Sequence, residues 1–294
     1  MKDRYKKDWI STSKKPSPRI LEKLIRLALK EDIGRGDITS EAIIPAEMEF
    51  NGKIITKEEG IIAGLEVAGH CFQQVNPDIE FHTQVEDGTA VQRGEILARL
   101  KGSARDILKA ERVALNFLQR MSGIATLTRK FVDAIEGTSA ILLDTRKTVP
   151  GLRVLDKWAV CLGGGRNHRF GLYDMILIKE NHIQVAGSLE QAVNRVRNHL
   201  GKKKFIEIEV TNLTELQEAI RLKVNRIMLD NMDLEDIQQS VHITAGRIPL
   251  EVSGNVTLEN ISAIARSGVQ YISSGTLTHS VKALDISLLL TGTN

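Results

Sequence analysis

Phe205-Ile-Glu-Ile-Glu209, a helical stretch, then Arg226-Ile-Met-Leu-Asp230: the reading of this passage decides the fold. Each run is short, largely apolar, and closes on an acid. The unit recurs in Ile141-Leu-Leu-Asp144, Met175-Ile-Leu-Ile-Lys179, Pro249-Leu-Glu-Val-Ser253 and Val269-Gln-Tyr-Ile-Ser-Ser274, making six strands, most followed by a helical stretch. Strand–helix alternation predicts a parallel sheet. If the sheet closes, its strand ends converge on one mouth, where barrel enzymes carry their chemistry. The residues so gathered are Asp144, Lys179, Glu209, Asp230, Ser253 and Ser274. A packed core alone does not require such a set. Six strands rather than eight mean either a small barrel or strands that the pattern does not reveal.

Working outward, the pattern before about residue 125 is different. Ser17-Pro18 reads as an N-cap with proline at the first helical position. Ile20, Leu21, Leu24, Ile25, Ala28 and Leu29 then repeat at helical spacing up to Gly34. Short strands around Lys53–Thr56, Ile61–Ala63, Ile79–Val85 and Ile96–Leu100 are split by Asp87-Gly88 and Arg93-Gly94 turns. Ser103 to Asp106 has the form of a capping box. It opens a long apolar helix that Gly123 is expected to interrupt, with a further helix to about Ala134. The terminal Leu284-Asp-Ile-Ser-Leu-Leu-Leu290 reads as a strand that returns to the first domain. The division is therefore a basic tail over 1–16, an α/β domain over 17–125 joined by 281–294, and a barrel over 126–280.

The chain has 294 residues, 42% hydrophobic and 26% charged, with a net charge of +3. This is the composition of a soluble globular enzyme, and it argues against a nucleic-acid-coating protein. No run approaches a membrane span. The basic start has no apolar core of a secretory signal. Cys71 and Cys161 show neither metal spacing nor a disulfide framework, which points to reduced thiols in a cytoplasmic protein. Charge is clustered locally: residues 146–169 hold Arg146, Lys147, Arg153, Lys157, Arg166, His168 and Arg169 against one acid, Asp156. That is either an anion site or a solvated basic face, and the adjoining strand ends favour the first.

The cluster contains Asp144-Thr-Arg-Lys-Thr148, in which Arg146 offers a guanidinium fork and Lys147 a point charge suited to carboxylate or phosphate. Gly163-Gly-Gly-Arg-Asn-His-Arg169 has glycines that would let a backbone approach an anion closely, without the Walker spacing. Lys179, closing an apolar strand, suits a Schiff-base nucleophile or a charge for an anionic substrate. Glu209 and Asp230 close consecutive strands and suit acid/base work, Mg²⁺, or hydrogen bonds to sugar hydroxyls. Glu207 lies on the same strand face as Glu209 and reads as a layer residue paired with a lysine. Ser253-Gly-Asn255 and Ser274-Gly-Thr276 are matching small-residue loops before helices, suited to a phosphate. Arg112 sits mid-helix, where pattern alone marks only a surface arginine.

Those motifs, with Glu111-Arg-Val-Ala-Leu-Asn116, Leu177-Ile-Lys-Glu-Asn-His182, Ile208-Glu-Val210 and Met228-Leu-Asp-Asn231, fall in one order along nearly the whole chain. Together they resemble the quinolinate phosphoribosyltransferases, the nicotinate-nucleotide pyrophosphorylases of NAD biosynthesis. The resemblance implies an α/β fold: an N-terminal α/β sandwich and an incomplete, six- to seven-stranded α/β barrel. It also implies a head-to-tail homodimer in which Arg112 reaches the partner's site.

The implied reaction is quinolinate plus phosphoribosyl pyrophosphate giving nicotinate mononucleotide, pyrophosphate and CO₂, with Mg²⁺ as cofactor and no nucleic acid or membrane as partner. By the same resemblance Arg112, Thr145, Arg146, Lys147, His168, Arg169 and Lys179 bind the polyanionic substrates. Ser253, Gly254, Asn255, Ser274, Gly275 and Thr276 hold the ribose 5-phosphate. Glu209 and Asp230 bind ribose hydroxyls and Mg²⁺, and with Lys147 and Lys179 form the catalytic set. The rivals are a lysine-dependent barrel lyase using Lys179, a same-fold enzyme for another aromatic acid, and a non-catalytic anion-binding protein. No second activating lysine ends a neighbouring strand, which weakens the lyase.

Overall fold

The computed structural model describes residues 15–201 and 203–291. Residues 1–14 of the expected basic tail lie outside them. In chain order the elements are α1 (Pro18–Ile33), α2 (Ile38–Ile43), β1 (Glu49–Thr56), β2 (Gly60–Ile61), α3 (Leu65–Val75), β3 (Glu80–Thr83), β4 (Ala90–Val91), β5 (Ile96–Ser103) and α4 (Ala104–Ala134). There follow β6 (Ile141–Leu143), α5 (Arg153–Leu162), β7 (Ile176–Ile178), α6 (Glu180–Ala186), α7 (Leu189–Leu200), β8 (Ile206–Val210), α8 (Leu213–Arg221) and β9 (Arg226–Asp230). The last are α9 (Leu234–Thr244), β10 (Leu250–Ser253), α10 (Ile261–Arg266), β11 (Tyr271–Ser273), α11 (Thr276–His279) and β12 (Ile286–Thr291). They form two compact units.

One unit comprises residues up to Arg129, Thr148–Gly164 and the segment from Ser280. Its main sheet is antiparallel, in the order β12-β1-β5-β3. Burial alternates along β1, with Gly52, Ile54 and Thr56 inward, as a half-covered sheet requires. The terminal strand β12 pairs with β1. Against the sheet, α3 sets Phe72 on Phe81 with ring centroids 5.7 Å apart. The stripe Leu21, Ile25 and Leu29 buries α1.

The expected break at Gly123 does not occur, for α4 is one continuous helix. Gly123 is small for a different reason: a Cβ there would collide with the Lys282 carbonyl of the returning C-terminal segment. One such glycine costs only about 1 kcal/mol of helix propensity. Backbone packing outweighs it.

The other unit holds Lys130–Lys147 and Gly165–His279. Its six strands are parallel, in the order β6-β11-β10-β9-β8-β7. Nearly every residue of β8 and β9 is buried, as in a sheet covered on both faces. Helices start on side-chain caps: Ser188 for α7, Asn212 for α8 and Asp233 for α9. No ladder joins β6 to β7 among the described residues, so the barrel is incomplete. A single parallel bridge, Leu143 to Arg166, extends the sheet beyond β6.

Candidate active site

The C-terminal ends of these strands surround a cavity of about 540 Å³. From the end of β6 come Thr145, Arg146 and Lys147. Two bonds shape this turn: Lys147 N donates to Thr145 Oγ1 at 3.0 Å, and Thr278 Oγ1 donates to Lys147 O at 2.7 Å. Asp144, expected at the mouth, lines the cavity too, although its side chain is fully buried. Its carboxylate accepts Asn167 Nδ2 at 2.7 Å and His168 N at 2.8 Å. It is a clamp that delivers His168 and Arg169 to the cavity wall. The glycines before them do other work. A Cβ on Gly163 would lie 2.5 Å from Ala125 O and 2.7 Å from Thr128 Cβ, and Gly164 turns the chain at φ 98°. None of the three glycines is among the cavity-lining residues, which corrects their reading as an anion-cradling loop.

Beneath His168 lies a buried ion cluster. Glu207 receives Arg226 Nη2 at 2.9 Å, with Arg226 Nε 2.8 Å from its second oxygen. Glu251 lies 3.5 Å from Arg226 Nε and 3.4 Å from His168 Nε2, which is also 3.1 Å from Glu207. The guanidinium stands over the rings of Phe205 and Tyr271, 5.6 and 5.1 Å from their centroids. Glu207 is thus paired with an arginine and a histidine, not with the lysine expected from sequence.

Burial opposes charge on His168, but Glu251 and Glu207 outweigh it and raise its pKa to about 9. The Arg169 amide lies 2.8 Å from Nδ1, a contact that suits the neutral ring. We assign the imidazolium, because two carboxylates facing Arg226 alone would leave an unbalanced charge in the interior. His168, Glu207 and Glu251 have the donor types of a metal site, yet the inserted guanidinium already balances them.

Across the cavity, Lys179 Nζ pairs with the Glu209 carboxylate. A nitrogen held by a carboxylate fits anion binding better than a desolvated Schiff-base amine. Asp230, on the next strand, has its pKa raised by burial and by Glu209, against the pull of Lys179. Two carboxylates on neighbouring strand ends are hard oxygen donors, and this donor set fits Mg²⁺. Burial and the proximity of Arg146 lower the pKa of Arg169.

The two loops complete the wall. Ser253, Gly254 and Asn255 follow β10; Ser274, Gly275 and Thr276 follow β11 and open α11. Ser274 Oγ donates to Val256 O at 3.3 Å, joining the loops. A Cβ on Gly275 would lie 2.8 Å from Lys147 Cδ and 2.9 Å from His279 Cδ2, so glycine there admits the lysine. His279 and Thr257 also line the cavity and were not singled out in the sequence, and so does Asn231, which stood there only as the last residue of the Met228–Asn231 motif. His279 lies one helical turn past the Ser274 loop, the only signal that could have found it. Arg112 is exposed on α4 in the other unit, and is not a lining residue.

Residues 37–122 match the family described as quinolinate phosphoribosyl transferase, N-terminal domain, and residues 124–289 its C-terminal domain. The chain is 47% identical to the nicotinate-nucleotide pyrophosphorylase [carboxylating] of Arabidopsis thaliana, over 91% of this chain and 82% of that protein. It is 43% identical to the probable nicotinate-nucleotide pyrophosphorylase of Bacillus subtilis, over 93% and 94%. The solved nicotinate-nucleotide pyrophosphorylase of Francisella tularensis superposes with a TM-score of 0.90 at 43% identity, covering 96% of this chain and 99% of that one. On these matches, and on the fold they agree with, the chain belongs to the quinolinate phosphoribosyltransferase family.

Proposed function

We propose that the protein transfers the phosphoribosyl group of phosphoribosyl pyrophosphate to quinolinate with decarboxylation, forming nicotinate mononucleotide, pyrophosphate and CO₂ in NAD biosynthesis. The observation that carries this reading is the cavity itself. It sets Arg146, Lys147, His168, Arg169 and Lys179 around one space with three acids, Asp144, Glu209 and Asp230, and two small-residue loops. Two polyanionic substrates explain that many cations, where a monocarboxylate would not. Arg146, Lys147, Arg169 and Lys179 take the quinolinate carboxylates and part of the pyrophosphate, with Thr145 shaping their turn. His168 adds charge from the cavity floor. The loops of Ser253–Asn255 and Ser274–Thr276 hold the 5-phosphate.

Glu209 and Asp230 bind the ribose hydroxyls and stabilise positive charge growing at the anomeric carbon. The same two carboxylates would hold Mg²⁺, which when bound neutralises charge on pyrophosphate. The quinolinate nitrogen forms the new bond to the anomeric carbon as the bond to pyrophosphate breaks, its electron pair leaving with pyrophosphate. The ring then loses CO₂, and the electron pair left on carbon is stabilised by the adjacent pyridinium before a proton replaces it. No protein nucleophile is needed, so orientation and electrostatics supply the rate.

A homodimer in which Arg112 enters the partner's cavity accounts for an exposed arginine within the Glu111–Asn116 motif. No described helix is long and apolar enough to cross a membrane. Two cysteines without a disulfide framework in the sequence suit a reducing compartment, which we take to be the cytoplasm; relatives from plants are named mitochondrial or chloroplastic. The decisive experiment is mass-spectrometric detection of nicotinate mononucleotide from purified protein, Mg²⁺, phosphoribosyl pyrophosphate and quinolinate, with nicotinate as control. Product from quinolinate alone supports the reading. Absence of product from folded protein would overturn it.

A further inference from the structure

Asn231 and Asn255 are two of four non-glycine residues with positive φ among the described residues, at 54° and 50°. Asparagine bears this conformation better than most residues, so a tight turn alone would explain the backbone. The Asn231 side chain asks for more. Its Nδ2 donates to Asp230 Oδ2 at 2.7 Å, and its Oδ1 accepts Asn255 Nδ2 at 3.1 Å. Its backbone N–H donates to Ser253 O at 3.0 Å. Gly254, at φ 87°, stands where a Cβ would collide with that same Oδ1. Farther on, Asn260 Nδ2 donates to Asn255 O at 2.9 Å, while Asn260 Oδ1 accepts Thr257 N at 2.9 Å.

A chain of amides therefore runs from the last residue of β9 to the start of α10. Asn231 is exposed, and an exposed amide with both ends engaged by protein gives up rotamer freedom for bonds that water could supply. Such bonds contribute little to stability. They fix a geometry: Asp230 and Ser253 are register partners on adjacent strands, and Asn231 ties the carboxylate of one to the loop that follows the other.

We propose that Asn231 is a positioning residue whose side-chain amide locks the Asp230 carboxylate to the Ser253–Asn255 loop, so that the two grip opposite ends of one phosphoribosyl group in register. This rests on the reading of that loop as the 5-phosphate site. Gly254 follows from the same device, since only glycine leaves room for the amide.

The test compares wild type, Asn231→Gly and Asn231→Asp by thermal melting and by steady-state kinetics with each substrate varied in turn. Glycine keeps the left-handed backbone and the bond to Ser253 O but removes the amide. Aspartate keeps the acceptor for Asn255 but sets a second carboxylate against Asp230. Both should melt near wild type and raise KM for phosphoribosyl pyrophosphate at least about tenfold, as loss of a bond to a charged group does. KM for quinolinate should stay near the wild-type value. Asn231→Gly with wild-type constants would overturn the proposal alone, because the backbone would then be the whole role. An equal rise in both KM values would overturn it as well. Inactive wild-type protein would overturn the functional reading, and this inference with it.

Discussion

Lys179 shows how one side chain acquires its meaning. At the end of an apolar strand it suits either a nucleophile or a charge, and its contact with Glu209 favours the charge. Glu209→Gln should lower kcat/KM about 100-fold, the scale of removing one transition-state contact. The melting temperature should hardly move, because the freed lysine side chain, 44% exposed, can turn to water. Steady-state rates beside a melting curve check this, and an unchanged kcat/KM would remove Glu209 from the chemistry.

His168 makes a pH prediction. Its folded pKa of about 9 lies above its ordinary 6.5. Its contribution to stability is therefore fully present below pH 6.5 and is lost as the pH rises through about 9, amounting to about 3 kcal/mol. Urea unfolding of wild type and His168→Gln across that range should show the decline in wild type only. Parallel curves would mean that the imidazole is not held as a cation.

At the level of elements, three glycines that look alike in sequence separate by what surrounds them. Gly123 lets a carbonyl approach a helix, Gly163 lets α5 end against α4, and Gly275 admits Lys147. Gly123→Ala should gain helix propensity and still destabilise, since a backbone atom cannot move aside as a side-chain end can. A net loss of about 1–3 kcal/mol, seen as a drop of roughly 3–10 °C in melting temperature, is expected. An alanine variant as stable as wild type would show that the C-terminal segment shifts freely. The six strands were legible because hydrophobic runs closed by polar ends are local patterns. The continuity of α4 was not, because its glycine answers to residues about 160 positions away.

At the scale of the molecule, the cavity lies wholly within one unit, while Arg112 lies in the other. A dimer that shares sites predicts complementation. Arg112→Ala alone should lose at least about 2 kcal/mol of transition-state binding, the scale of removing one partner of a buried charge pair. Mixed with Lys179→Ala after subunit exchange, it should regain part of the activity, because one hybrid site carries neither substitution. No recovery in proven hybrids would count against the shared site.

What the sequence by itself determined is the set of strand ends and the charges they carry. Period and polarity are written in neighbouring residues, and parallel strands must bring their ends together. The count of six runs left a small barrel or unseen strands equally open; the incomplete barrel was implied by the family resemblance, and the six-stranded sheet agrees with it. The tertiary structure alone decided which polar residues face the cavity. Glu207 is an acid in the same strand as Glu209, yet it balances Arg226 and His168 away from the cavity, while Asp144 lines the cavity and also clamps the chain at His168. The difference is the partner each carboxylate meets. A buried charge takes its role from the opposite charge or donor that packing brings to it, and those partners stand 19 to 39 positions away along the chain.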